Sequence, residues 1–491
     1  MKNLGRAAFA ALVCVILVAS IAGQADTQAS DALDAKIKRI EAGLLPAVHI
    51  KGRPVETFSL AERMAFHKVP AVSVAVIKDF KVEWARAYGF RDIEEKSPAT
   101  VETLFQAASI SKPVAAAAAL HFVEKGLLNL DEDVNLKLKS WKIPGNEFTA
   151  KQQVTLREIL SHSAGLTVHG FPGYPTGQPV ATLLQVLDGQ KPANTAPIRV
   201  DVLPGSLWRY SGGGYTVMQQ LLIDVLGRPF PDIMRETVLA PAGMAQSTYE
   251  QPLPESLLAR AAVGYGPNGK PVGGRRHVYP EMAAAGLWTT PADLCRFAIE
   301  IMNAYGGRSD NVISQDMAKA MLTVQKAPSG LGFMLQGEGR DFRFSHSGGN
   351  AGFICDLVAF PARGIGLAIM TNADGGALIS ELERAIAAEY GLPGYDVVEK
   401  VLVNLGAETL DRYAGNYEID FGGQKMILSI SRRDDHLAFN LMGSEIEFYP
   451  ESEKKFFTMN LRFAFVFEKD TQGQVTGFVA NGVYKAKKTV K

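Results

Sequence analysis

Residues 105–120 read FQAASISKPVAAAAAL: a serine, a lysine three positions on, and then a run that is almost all alanine. Alanine has the highest helix propensity and a minimal side chain, so the run predicts a slender helix that can sit deep in a core and that ends near Gly126. Positions three apart share one face of a helix, which brings the heads of Ser109 and Lys112 together. A lysine held in so apolar a place is desolvated, its pKa falls, and the neutral amine can take the proton of the serine hydroxyl. Backbone N–H groups at the same helix N-terminus favour negative charge on a substrate oxygen. Spacing alone does not carry this reading, because Ser452 and Lys455 repeat it inside ESEKK, a charged turn between predicted strands.

Outward from this helix, the pattern is strand first and strand last. AVSVAVIKDFKVEWARAYGF alternates and turns at Lys78 to Phe80, the signature of a β-hairpin. Helical patterns follow: VTLREILSH, with Thr155 and Glu158 as a capping box; GYTVMQQLLIDVLG, stopped by Gly227; and TPADLCRFAIEIMNAYGG, with Thr290 as cap and Pro291 at the first helical position. From Phe342 to Thr371 strands return, FICDLVAF and IGLAIMT being joined by a turn at Pro361 to Gly364. A sheet built from both ends of a domain with helices between is an α+β architecture, an antiparallel sheet flanked by a helical region. After a short helix (Gly376 to Tyr390), short alternating strands run from Leu410 to the end, predicting a small all-β, barrel-like domain. The expected division is a leader at 1–22, a catalytic domain at 31–395 and a β domain at 405–491.

The bulk numbers agree. A chain of 491 residues, 47% hydrophobic, can bury a large core with length left for a second domain. Lysine plus arginine equals aspartate plus glutamate at 51 each, which does not point to nucleic acid. Lys2 and Arg6 precede an apolar run from Ala7 to Ala22, with Ser20 and Ala22 placed as a cleavage site requires. At about 16 residues the run is short for a membrane span, so export with cleavage is expected, and membrane attachment only if the leader is retained. Leu12 and Val13 before Cys14 argue against a lipoprotein. Cys295 and Cys355 fall in apolar settings and are expected as buried free thiols.

A serine activated by lysine needs a proton relay to the leaving group and donors for the oxyanion. WRYSGGGYTVMQQ supplies Tyr210 just before glycines that turn into a helix, and RFSHSGGNAGF supplies His346, Ser347, Gly348 and Gly349 on a predicted strand edge. The order SxxK, Tyr-Ser-x, His-Ser-Gly resembles the class C β-lactamase and penicillin-binding-protein family of serine hydrolases, over about Leu60 to Tyr390. LSHSAGL (160–166) and AAAGLWTTPADLCRF (283–297) look like that family's framework segments. The resemblance implies Ser109 as acylated nucleophile, Lys112 as base, Tyr210 as proton shuttle, His346 in place of the third-motif lysine, and the N–H groups of Gly349 and Ser109 as oxyanion hole. Ser347, Gly348 and Gly212 border the same place, and His169, just after LSHSAGL, is a candidate pocket residue. The C-terminal domain resembles the lipocalin-like module appended to such hydrolases, either narrowing the active-site mouth or serving stability and assembly.

Two departures stand out. Gly212 occupies the place of the family's asparagine, and His346 removes a fixed positive charge that would receive a β-lactam carboxylate. Peptide or amide substrates are therefore expected first, esters second and β-lactams third. The rival from another class is a non-catalytic penicillin-binding-like receptor or wall-binding protein. No Gly-x-Ser-x-Gly elbow occurs, His121 lacks the second histidine of a zinc-peptidase motif, and GYGPNG (264–269) is not followed by a helical pattern. No metal or cofactor is implied. The expected partner is a small molecule or short peptide, and oligomeric state is left open.

Overall fold

The computed structural model describes residues 30–421, 424–441, 444–459 and 463–489. The leader at 1–22 lies outside them. The described residues form two compact units, one of residues 64–379 and one of those from 30 to 63 together with those after 379.

The first unit is built on a seven-stranded antiparallel sheet. Its strands are β1 (Ala71–Lys78), β2 (Lys81–Asp92), β3 (Ser97–Pro98), β4 (Met334–Gln336), β5 (Arg343–Asn350), β6 (Phe353–Phe360) and β7 (Ile365–Thr371), in spatial order β3-β2-β1-β7-β6-β5-β4. Strands from the two ends of the unit thus meet at β1 and β7, Ala75 opposite Ala368. Both are buried along nearly their whole length, as expected of central strands covered on both faces. Between the two halves of the sheet run α1 (Ser111–Glu124), α2 (Gly212–Leu226) and α3 (Pro291–Tyr305). Helix α3 packs on β1 and β7 with a strongly one-sided apolar face. Its Thr290 side chain accepts from the Asp293 N–H, the expected cap.

Helix α1 has no such asymmetry, because Ser111 through Leu120 are all buried. The alanines answer a spatial demand. Gly332, with φ +108°, passes so close that a Cβ on it would lie 2.8 Å from Ala116 Cβ and 3.1 Å from Pro113 Cα. Larger residues on that face would push the covering loop away. Cys295 and Cys355 are both buried, and neither forms a disulfide among the described residues.

In the other unit, a helix over residues 30–42 is tied by Arg39 to Glu389 through two 2.8 Å hydrogen bonds. Val48–Ile50 pairs in parallel with Val398–Lys400. The rest is a closed barrel of eight antiparallel strands, from Gly415–Phe421 to Tyr484–Lys488, closed by Tyr417 opposite Lys488. Tyr413, Tyr417, Phe448, Phe456, Phe465, Phe467 and Phe478 fill its interior. Closure removes the unpaired edges that an open sheet of these strands would expose.

Candidate active site

Three segments far apart in sequence meet at the start of α1. Ser109 lies not on the helix proper but on a 3-10 turn, Ala108–Ile110, that leads into it. Ala108 adopts φ +47°, a left-handed conformation that costs about 1–3 kcal/mol in a residue with a Cβ. Ser111 holds the turn. Its hydroxyl donates to the Ala108 carbonyl (2.5 Å) and accepts from the Leu287 N–H (3.0 Å), and its own carbonyl accepts from the Tyr249 hydroxyl (2.7 Å). The Cys355 thiol donates to the Ala107 carbonyl at 3.0 Å, fixing the other side.

Lys112 is 2% exposed. Its Nζ lies 3.0 Å from Ser109 Oγ and donates to the Ala284 carbonyl at 2.8 Å. Burial pulls its pKa down from 10.5 to about 7, so near neutral pH a large share of the amine is uncharged and able to accept a proton. The Tyr210 ring stands 5.0 Å from the same nitrogen. Burial raises the Tyr210 pKa well above its usual value, with the Ser109 side chain offsetting part of the effect, so its phenol stays protonated.

The third segment is β5. Strand β4 pairs with it only from Arg343 to Ser345, so among the described residues His346 to Asn350 have no strand partner on that side. A Cβ on Gly348 would lie 2.3 Å from the Ala107 carbonyl oxygen and 3.0 Å from the Ser109 nitrogen, so only glycine lets the strand run this close to the nucleophile. Ser347 and Gly349 are exposed while His346 is 3% exposed. The His346 Nδ1 faces the Ser347 carbonyl at 2.6 Å, which places the proton on Nδ1, and Nε2 is buried without a hydrogen-bond partner among the described residues. Burial first, then the nearby Lys112 charge, lower its pKa to about 3. It is a neutral imidazole.

The two departures acquire physical reasons. A Cβ on Gly212 would lie 2.8 Å from Phe171 Cε2 and 3.2 Å from the His169 carbonyl oxygen, so the Phe171 ring fills the space a longer side chain would need. The Ala284 carbonyl supplies the lysine with its second partner. His169 is exposed, and its Nδ1–H donates to the Tyr210 carbonyl at 2.5 Å, bracing the backbone of the tyrosine. Ser109, Lys112, Tyr210, His346 and Gly348 therefore converge, with Gly212 and His169 one layer behind the tyrosine.

Sequence reasoning passed over Phe171, Ala284 and His162. His162 is 2% exposed and lies against Tyr210 with ring centroids 4.3 Å apart. It and Ala284 stand in LSHSAGL and AAAGLW, the stretches read as framework, and that neighbourhood was their only signal.

A serine paired with a desolvated lysine, next to a protonated phenol and an open strand edge, defines an active-serine hydrolase. The beta-lactamase family profile matches residues 59–391, and the chain belongs to that family of serine hydrolases. It is 26% identical over 415 residues to penicillin-binding protein 4* of Bacillus subtilis (strain 168), covering 76% of this chain and 84% of that protein. It is 24% identical over 357 residues to a beta-lactamase of Pseudomonas fluorescens, covering 65% and 93%. In fold it is similar to the octameric penicillin-binding protein homologue from Pyrococcus abyssi, with TM-score 0.59 and 23% identity over 87% of this chain and 98% of that one.

Proposed function

We propose that the protein is an exported hydrolase that cleaves an amide bond of a small or short peptide substrate through an acyl-enzyme on Ser109. Neutral Lys112 takes the hydroxyl proton while Ser109 Oγ bonds to the carbonyl carbon. The oxyanion is received by the Ser109 and Gly349 N–H groups. As the carbon–nitrogen bond breaks, Tyr210 gives its proton to the leaving amine and regains one from Lys112. Water then attacks the ester by the same relay, releasing the acid and restoring the serine. The observation that carries this reading is the 3.0 Å approach of a buried lysine amine to the serine hydroxyl.

Peptides are favoured because the unpaired edge at His346 to Asn350 can accept an extended backbone. Neutral His346 gives a β-lactam carboxylate no charge partner at that point. Esters would follow the same route. Export rests on the leader at 1–22 and places the enzyme in the periplasm or outside the cell. The test is intact-mass spectrometry after incubation with a fluorophosphonate and, separately, a penicillin, on wild type and Ser109→Ala. One adduct that disappears in the variant is expected. No adduct from either reagent on folded protein would sink the acyl-enzyme and favour a binding protein.

A further inference from the structure

His162 carries two costs that packing alone does not explain. Its φ is +59°, in the left-handed region that a residue with a Cβ adopts rarely. Its Nε2 is buried with no hydrogen-bond partner among the described residues. The Ser211 N–H donates to His162 Nδ1 at 3.2 Å, which leaves the ring proton on Nε2 and makes that nitrogen an unpaired donor. An unpaired buried donor destabilises the fold, because it has given up its bond to water without a replacement.

Both costs are spent beside one residue. Ser211 immediately follows Tyr210 and caps α2, its side chain accepting from the Gly214 N–H. The His162 ring lies on the Tyr210 ring, 4.3 Å between centroids and tilted by 34°, and is backed by Tyr215 at 5.3 Å and Trp208 at 6.3 Å. The imidazole thus fixes the tyrosine twice, through its ring plane and through the next peptide. On the far side, His346 stands 6.1 Å from the same ring, and Lys112 Nζ faces it at 5.0 Å. We infer that His162 is a positioning residue: it holds the Tyr210 hydroxyl on the line between Ser109 and the leaving group, and so governs protonation of that group. The inference rests on the acyl-enzyme reading.

In acylation, a residue that works through leaving-group protonation matters only where the leaving group needs a proton. An amine must be protonated to depart, whereas p-nitrophenolate leaves as the anion. The experiment compares a p-nitroanilide and a p-nitrophenyl ester of the same acyl group on wild type, His162→Phe, His162→Asn, Tyr210→Phe and the double variant His162→Phe/Tyr210→Phe. The phenylalanine keeps the ring and removes the acceptor. The asparagine keeps an acceptor within reach of Ser211 and removes the ring, and it serves if the first variant does not fold.

The expected result is an anilide kcat lowered by about 10²-fold with KM little changed, and an ester kcat/KM, which reports acylation and not the shared deacylation step, lowered by less than about threefold. The double variant should lose no more on the anilide than Tyr210→Phe does. Equal losses on both substrates, or additive losses in the double variant, would overturn the assignment and leave His162 as a packing residue. Fluorophosphonate labelling of Ser109 is read in parallel. Its absence in wild type would refute the acyl-enzyme itself, while its presence with equal losses refutes only the role of His162.

Discussion

Replacing Lys112 with methionine should abolish activity and make the catalytic unit more stable at pH 6. The wild-type side chain is held where its pKa is about 7 instead of 10.5, with burial as the cause. At about 1.4 kcal/mol per pKa unit, that difference corresponds to about 5 kcal/mol between the low-pH and high-pH limits. The sign follows from proton counts. Between pH 7 and 10.5 the unfolded chain keeps the lysine proton and the native state does not, so native stability rises with pH through this window and is lower by the full amount beneath it. Methionine has similar length, no charge and nothing to titrate. It leaves the Ala284 carbonyl, now bonded at 2.8 Å, without its partner, a cost of about 1–3 kcal/mol. Lys112→Met should therefore exceed wild type by about 2–4 kcal/mol at pH 6, and the gain should vanish by pH 10.5. Urea unfolding followed by tryptophan fluorescence measures this in the right unit, because Trp84, Trp141, Trp208 and Trp288 all lie within residues 64–379. A variant no more stable than wild type at pH 6, or a gain that does not shrink as pH rises, would refute the claim that the lysine is held there against its own solvation.

Other outcomes follow from the same geometry. Amide turnover (kcat/KM) should fall about tenfold per pH unit beneath pH 7 and level off above it, because only the neutral amine of Lys112 accepts the serine proton; a profile flat from pH 5 to 9 would remove Lys112 as base. Gly348→Ala puts a Cβ 2.3 Å from the Ala107 oxygen, so it should displace β5 from the nucleophile and slow fluorophosphonate labelling by about 10²-fold or more, the scale of one lost oxyanion donor; unchanged labelling would mean the strand is not where the oxyanion forms. Gly212→Asn should destabilise by about 1–3 kcal/mol through overlap with the Phe171 ring, and Phe171→Ala should relieve that overlap; additivity of the two in thermal melts would disprove the contact. Glu281 is fully buried, neither carboxyl oxygen has a hydrogen-bond partner among the described residues, and burial raises its pKa from 4.5 to about 8, so it costs stability as pH rises from 4.5 to 8; Glu281→Gln should remove that loss, seen as a higher melting temperature than wild type at pH 9 but not at pH 4.

Much of this was legible in the sequence where the signal is local. The capping box at Thr155 and Glu158, the cap and proline opening α3 and the stop at Gly227 are short-range chemistry, and the structure has each of them. Alternation found the strands, and the return of strands after Phe342 gave an antiparallel sheet built from both ends. What stayed hidden is contact between distant residues that leaves no pattern. Nothing in LSHSAGL says that residue 162 will lie under residue 210 and bond to residue 211, 49 positions away. Backbone atoms have no sequence signature either, so the Ala284 carbonyl could not be read as the lysine's partner. Nothing in the sequence of the helix over 30–42 says that its Arg39 will meet Glu389, 350 positions away.

The chemistry of the site depends on how far apart its neighbours' proton affinities are held. His346 is driven to about 3 and His162 well below its usual value, in both cases by burial first and the Lys112 charge second. Tyr210 is driven the other way by burial. Of these four groups, only Lys112 is left to change charge near neutral pH, so the Ser109 proton has one destination. A protonated histidine on either side of the tyrosine would depress the lysine further by like-charge repulsion and leave a weaker base. The same spacing makes Tyr210 a relay and not a sink, since a phenol that stays protonated can give a proton only as it receives one. An alanine helix is suited to this task because it lets the lysine lie deep enough for burial alone to set the base.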